Sequence, residues 1–410
     1  MRQLNLNLIF WGRVKLKVMG KKIMILGAGC YQKPLIQVAI DIGLEVHVCS
    51  IKGNYPGIQI APFYHEIDIS NSSDVLELAR NLEVDGIITT ATDVGLESMG
   101  RVIEELGVPG TSLSGHIACS NKKIMKDLFQ KNAIPSAEYA EIFDASDAIQ
   151  FFENQLGPCV IKPTDSSGSR GVIKIDNALM IEDALKTAKN FSKSGSIIIE
   201  EWLEGEEFGA QAIVFSEEIC LIILHSDLTT LPPNKIPIGH GCPHPKESEI
   251  FPKVSQIITK AILALGIRNS VCNIDLIMTK EGPKIIEMTC RMGGTRLPEV
   301  CGDYWGINMY EIALNIALGI KPLLPKEPLG MINAAHNLHV RESGLINKVG
   351  EMNEDYKWVI ESDIEQPVFC NEQGLAEIGY VQAKGINPTE VLLDAEKAAK
   401  IFCKTTTMQR

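Results

Sequence analysis

Residues 284–299 read KIIEMTCRMGGTRLPE. The stretch begins as a buried strand, with Ile285, Ile286 and Met288 apolar. Yet Glu287 stands inside it, Arg291 follows four residues later, and Gly293 and Gly294 come next. A carboxylate and a guanidinium at the end of a buried strand are costly to desolvate unless they meet partners. Just upstream, NIDLIM (273–278) is a second apolar strand carrying Asp275, and the turn KEGP (280–283) joins the two. In the hairpin this predicts, Asp275 and Glu287 can point to one face. Two inward carboxylates repel unless a cation lies between them. Mg2+ takes oxygen ligands, usually one or two carboxylates plus substrate phosphates. Arg291 could then grip a phosphate or an incoming carboxylate in bidentate fashion, with Gly293 and Gly294 letting the backbone come close to the substrate. The plainer alternative is a structural Asp–Arg or Glu–Arg pair.

A second signal lies upstream in VIKPTDSSGSRGV (160–172). Lys162 ends an apolar strand, where a lysine is rarely left without an anionic partner. A loop of small hydroxyl residues, two glycines and Arg170 follows. Backbone N–H groups of such a loop can close over phosphates; the alternative is a β-hairpin with a polar tip, which does not explain Lys162. SIIIEEWLEGEEF (196–208) is a strand ending in paired acids, an aromatic and a glycine turn. It could offer backbone groups to an adenine edge and a carboxylate to ribose hydroxyls, or be a hairpin with solvated acids.

Before these, from Lys22 to about residue 118, the pattern alternates strand, glycine turn, helix and strand. That implies a parallel sheet with helices on both faces. The turn GAG (27–29) suggests a dinucleotide fingerprint, but Gln32 stands at the third glycine position and no acid ends the second strand. A structural turn facing the substrate fits better than a nicotinamide site, and no P-loop pattern occurs. From about 119 the material is antiparallel α+β. A helix capped by Asn121 opens it, a Pro-rich loop spans 231–245, and a helix runs roughly over 248–265. Residues 330–410 read as a smaller β-rich unit closing on a helix. HGCPH (240–244) reads as a substrate-facing loop rather than a zinc site, because Gly241 and Pro243 forbid a helix and no second ligand pair occurs.

At 410 residues, two or three domains are expected, and 45% hydrophobic with 22% charged residues is ordinary for a soluble globular protein. A net charge of −12 argues against nucleic acid as the main partner. The 11 cysteines are scattered singly, with no C-x-x-C pair, which suits a reducing, cytoplasmic setting. The basic first 20 residues read as a disordered tail or as an extension upstream of a start at Met19, with no membrane span.

In order, these pieces resemble the ATP-grasp carboxylate–amine ligase superfamily, and within it short proteins similar to the large subunit of carbamoyl phosphate synthetase or to amino-acid ligases. The resemblance implies an α/β and α+β architecture. A Rossmann-like domain (21–118) is followed by a small lobe (119–200), a large lobe (201–329) and a β-rich C-terminal unit (330–410). It implies ATP and Mg2+ (or Mn2+), with small-molecule carboxylate and amine substrates, no membrane partner, and a homodimer as one expectation. Lys122 and Lys162 match phosphate-contacting lysines, and Ser166, Ser167, Gly168, Ser169 and Gly171 match the flexible loop. Glu200, Glu201 and Leu203 match the adenine hinge, and Glu207 the ribose acid. Asp275 and Glu287 match the metal acids, with Thr289 where the family places asparagine, and Arg291 the signature arginine. Lys162 and Arg291 are the expected catalytic residues, and His240 and Arg296 the candidate substrate contacts. The implied reaction activates a carboxylate as an acyl phosphate and joins it to an amine. The alternatives are carboxylation or carbamoylation through carboxyphosphate, or a weakly catalytic, nucleotide-binding regulatory protein.

Overall fold

The structure is a computed structural model describing residues 18–230, 236–362, 365–371 and 374–409. Most of the expected N-terminal tail, and the start of the Pro-rich loop, lie outside the described residues. Strands β1 (Lys22–Leu26), β2 (Glu45–Ser50), β3 (Phe63–Glu66) and β4 (Gly86–Ile88) form a parallel sheet in the order β3-β2-β1-β4. Alternation along β1 shows why it is apolar from Ile23 onward. Met24 and Leu26 pack with the helix Leu96–Leu106, whereas Ile23 and Ile25 pack with the helix Lys33–Asp41 on the opposite face. Gln32 fills the glycine turn after β1, its Oε1 accepting from the Gly29 N–H at 2.8 Å.

The small lobe opens with the helix Lys122–Lys131, capped by Asn121, whose side chain accepts from the Ile124 N–H. Its sheet comprises β5 (Tyr139–Ile142), β6 (Cys159–Pro163), β7 (Ile173–Ile175) and β8 (Ile197–Glu201), antiparallel in the order β5-β8-β6-β7. It has its own core, in which Ile161, Ile197 and Ile199 pack against Ile181 and Leu185 of the helix Ile181–Phe191.

The large lobe is an eight-stranded antiparallel sheet. It contains β9 (Glu206–Phe215), β10 (Glu218–Thr229), β11 (Pro237–Cys242), β12 (Ser270–Thr279) and β13 (Gly282–Thr289). The C-terminal segment contributes β14 (Ile332–Val340), β15 (Leu345–Lys348), β16 (Lys357–Ile360), β17 (Ala376–Gly385) and β18 (Thr407–Gln409). The large sheet runs β13-β12-β9-β10-β11-β14-β17-β16, and only β15 and β18 pair apart from it. The boundary expected near residue 330 therefore falls inside one sheet. The free edge of β11 is taken up by β14, with Gly239 opposite His336 and His240 opposite Ala335. Unpaired strand edges seek partners, and the sequence carries no mark of which edge a later strand will complete.

The end of β13 is tied to both neighbouring units. Ile285 N–H donates to Pro135 O at 2.9 Å, and Ala91 N–H donates to Met292 O at 3.1 Å. The charged stretch thus lies where the parallel-sheet domain and both lobes meet. No helix among the described residues is long and apolar enough to cross a membrane.

Candidate active site

A cavity of about 590 Å³ lies over β12 and β13 and is lined from all three sheets' neighbourhoods. In the β12–β13 hairpin Asp275 stands directly opposite Glu287, and Asn273 opposite Thr289. All four line the cavity. Burial, then the nearby carboxylates of Asp227 and Glu287, push the Asp275 carboxyl up to about 7. Asn273 Nδ2 donates to Asp275 Oδ1 at 2.9 Å, and Lys122 Nζ donates to Glu287 Oε1 at 3.0 Å and to Ser166 O at 2.6 Å. A buried acid whose ionisation is disfavoured by a facing carboxylate fits a divalent cation between the two. Thr289 turns its hydroxyl toward Arg291 O at 3.5 Å. The amide expected at that position is present one strand away, as Asn273, where it also accepts from Gln211 Nε2 at 2.6 Å. Gly293 packs against this pair: a Cβ there would sit 2.6 Å from Asn273 Oδ1 and 2.5 Å from Leu297 Cδ1. Its small size serves the site's internal packing.

Lys162 Nζ meets Glu200 Oε2 at 2.9 Å, and the fully buried Lys126 approaches the same oxygen at 3.4 Å. Burial lowers the Lys126 ammonium to about 8, against the pull of Glu200 and with repulsion from Lys162 adding to it. Glu200, expected at the adenine hinge, lines the cavity and shares its carboxylate between these two lysines. Glu201 is likewise engaged, accepting from Lys284 Nζ at 3.1 Å. Around the hinge the cavity wall is apolar, with Val160, Leu203, Phe208, Leu276 and Ile286. Glu207 also lines it.

Ser166, Ser167, Gly168 and Ser169 line the cavity rim, and Gly171 stands at the loop's foot. Gly168 (φ +64°) has open space where a Cβ would go, whereas at Gly171 (φ +71°) a Cβ would lie 2.9 Å from Phe191 Cβ. Both substitutions to alanine incur left-handed strain of about 1–2 kcal/mol. Gly171→Ala should lower stability by about 1–3 kcal/mol more than Gly168→Ala, because Phe191 must also move. Urea unfolding of the two variants checks this, and equal losses would remove the packing argument.

Arg291 donates from Nε and Nη2 to the two carboxylate oxygens of Asp93, at 2.8 and 3.1 Å. An acid from the parallel-sheet domain thus orients it, and both residues line the cavity. Arg296, expected to touch substrate, is 2% exposed and does not line the cavity. Its guanidinium is bonded to Glu361 and Glu377, lies 4.0 Å from Glu299, and stacks over the Tyr380 ring at 4.4 Å. Its backbone φ is +70°, and its side chain is buried in the protein. His240 does line the cavity. Asp227 Oδ1 bonds Nδ1 of both His240 (2.6 Å) and His225 (2.8 Å), which leaves His240 Nε2 buried without a partner. Among the described residues these three are the one group of His, Cys, Asp and Glu whose ligand atoms all lie within 4.8 Å of one another. Their spacings are those of shared protons, so the group reads as a hydrogen-bonded array.

Asp93, Lys126, Asn273, Asp227 and His225 escaped the sequence reading. Lys126 had a signal, four residues after Lys122 on one helix face; the others sit in unremarkable strands or loops.

Residues 120–296 match the family model for the phosphoribosylglycinamide synthetase ATP-grasp (A) domain. That stretch of the chain is therefore similar to an ATP-grasp domain. It is 23% identical to human carnosine synthase 1 over 350 residues, which covers 75% of this chain and 41% of that one. The chain thus spans less than half of that relative's length. Among solved structures it resembles phosphoribosylglycinamide synthetase from Anaerococcus prevotii, at 25% identity and a TM-score of 0.76, covering 95% of this chain and 99% of that one. It also resembles the L-amino acid ligase from Bacillus licheniformis, at 18% identity and a TM-score of 0.77, covering 96% and 100%.

Proposed function

We propose that the chain is an ATP-dependent ligase that activates a substrate carboxylate as an acyl phosphate and joins it to an amine, releasing ADP and phosphate. The observation that carries the reading is the cross-strand Asp275–Glu287 pair, facing one cavity with Lys122, Lys162 and the serine–glycine loop. Asp275 and Glu287 would hold Mg2+, with Asn273 and Thr289 beside them. When bound, the ion supplies neutralisation of phosphate charge. Lys122 and Lys162 bind phosphate oxygens, leaving their carboxylate partners as they do so. The apolar wall near Leu203 takes the adenine, and Glu207 the ribose. The substrate carboxylate attacks the γ-phosphate and ADP leaves; the amine then attacks the acyl carbon and phosphate leaves. Arg291, held by Asp93, steadies the charge developing on the transferred group. The serine–glycine loop keeps water from the acyl phosphate. Such chemistry needs positioning and electrostatics rather than an enzyme nucleophile.

Amino acids are the first substrates to try, given the names of the carnosine synthase and L-amino acid ligase relatives. The test is ADP and phosphate release from Mg-ATP with paired amino acids and other carboxylates. Turnover that requires both partners supports the ligase. Turnover with bicarbonate in place of a carboxylic acid would instead indicate carboxylation. ATP binding without turnover under any pairing would leave a regulatory, nucleotide-binding protein.

A further inference from the structure

We propose that the end of the cavity formed by Tyr31, Asn337 and Glu377 is a subsite for a primary ammonium group on the substrate, an inference that rests on the ligase reading above. Three segments build it: the glycine turn after β1, strand β14 and strand β17. Behind it, one guanidinium, that of Arg296, faces three carboxylates, those of Glu299, Glu361 and Glu377. The cluster therefore carries an excess of acid. Of the three carboxylates only Glu377 lines the cavity. Its Oε2 accepts from Tyr31 Oη and from Asn337 Nδ2, the latter at 2.9 Å.

Asn337 gives the independent sign of a missing ligand. It is 2% exposed and lines the cavity, and its Oδ1 is buried without a hydrogen-bond partner. Buried amide oxygens are nearly always paired. A carboxylate and an unsatisfied carbonyl side by side call for a group with several donors, no acceptor and a positive charge. An ammonium has three N–H donors and no acceptor, whereas a substrate carboxylate here would be repelled by the acid excess. Arg296, the candidate substrate contact offered by the sequence, is turned to Glu361 and Glu377 behind the cavity. The glycine turn, which has no nucleotide fingerprint, thereby acquires a purpose, because it presents Tyr31 to Glu377.

The proposal is tested by titration calorimetry on the full chain with Mg2+ and a non-hydrolysable ATP analogue. The probes are glycine, L-alanine and β-alanine, each beside its N-acetyl form, which keeps the carboxylate and loses the ammonium. The free amino acids should bind at least about tenfold more tightly than their acetylated forms, and Glu377→Gln should close that gap while leaving the affinity for the ATP analogue intact. Glu377→Gln keeps the side chain's shape and an acceptor for Tyr31 and Asn337, so analogue binding reports that the fold persists. If that variant does not bind the analogue, Asn337→Ala is used in its place and should narrow the gap. Equal binding of acetylated and free forms overturns the subsite. So does a gap that survives both variants, or a failure of every free amino acid to bind while the analogue does. Preferential ammonium binding without turnover would sink the ligase reading and leave the subsite; turnover of pairs that carry no second ammonium, with a full gap absent, would do the reverse.

Discussion

Glu287→Gln is expected to lower Mg-ATP-dependent phosphate release by about 100-fold or more, while the melting temperature and circular dichroism stay close to those of the parent. The variant keeps the side chain's volume and one oxygen, so β13 remains paired to β12 through the register that sets Asp275 opposite position 287. What it loses is one of the two negative charges that would hold the metal. Lys122, which bonds Glu287 at 3.0 Å, keeps Ser166 O as an acceptor at 2.6 Å and stays in the field of Asp93 and Glu200, and the Glu287 end of the pair is partly exposed. The stability cost is therefore small and the functional cost large. Raising Mg2+ should recover part of the lost rate, because one carboxylate at Asp275 remains. Normal turnover in the variant would place the metal elsewhere. The phosphate-release assay and a Mg2+ titration decide between these outcomes.

The hairpin at the centre of this site was legible because its signal is local. Two short apolar strands and a turn mark the hairpin, but the turn's own register would set Asp275 opposite Ile286, and an irregularity between Asp275 and Leu276 brings Asp275 opposite Glu287 instead. The parallel sheet was legible for a similar reason at β1, β2 and β4, which are largely buried strands set off by glycine turns and helices, whereas β3, with the sequence FYHE, carries no such run. What stayed hidden was which distant charge meets which. Glu200 reads as a hinge acid from its neighbours, yet two lysines from other elements claim it, Lys126 from a helix and Lys162 from the adjoining strand. Arg291 reads as a phosphate or carboxylate contact or as half of a structural ion pair, but its acid, Asp93, lies 198 positions away in sequence and cannot be picked out from spacing. The same holds for the C-terminal strands: residues 330–410 read as β-rich, but only the open edge of β11 makes them part of the large sheet. Short-range spacing reports faces and turns, whereas ion-pair partners and sheet edges depend on closure of the whole chain.

Glu200→Gln should destabilise the protein by about 3–5 kcal/mol at neutral pH, because it leaves two buried lysines facing one neutral amide. Burial alone would push the Glu200 carboxyl up, but Lys126 and Lys162 outweigh it and hold the carboxyl below its usual range. Both lysines are nearly or fully buried, and Lys126 already sits at about 8 with Glu200 in place. Without the carboxylate, the cheapest response is for one lysine to lose its proton. That gives the prediction a sign in pH. A lysine whose folded pKa lies below its unfolded value of 10.5 holds fewer protons in the folded state across that interval, so stability there rises with pH. In the parent the rise belongs to the window from about 8 to 10.5. In Glu200→Gln the window opens at lower pH, so the gap between variant and parent should shrink as the pH is raised from neutral toward that of free lysine. Urea unfolding at several pH values measures this directly. Adding Lys126→Met to the variant removes one of the two stranded charges and should return most of the lost stability, while Lys162 remains for the phosphates. If the double variant is no more stable than Glu200→Gln alone, the loss does not come from charge, and the shared-carboxylate account of these three residues fails.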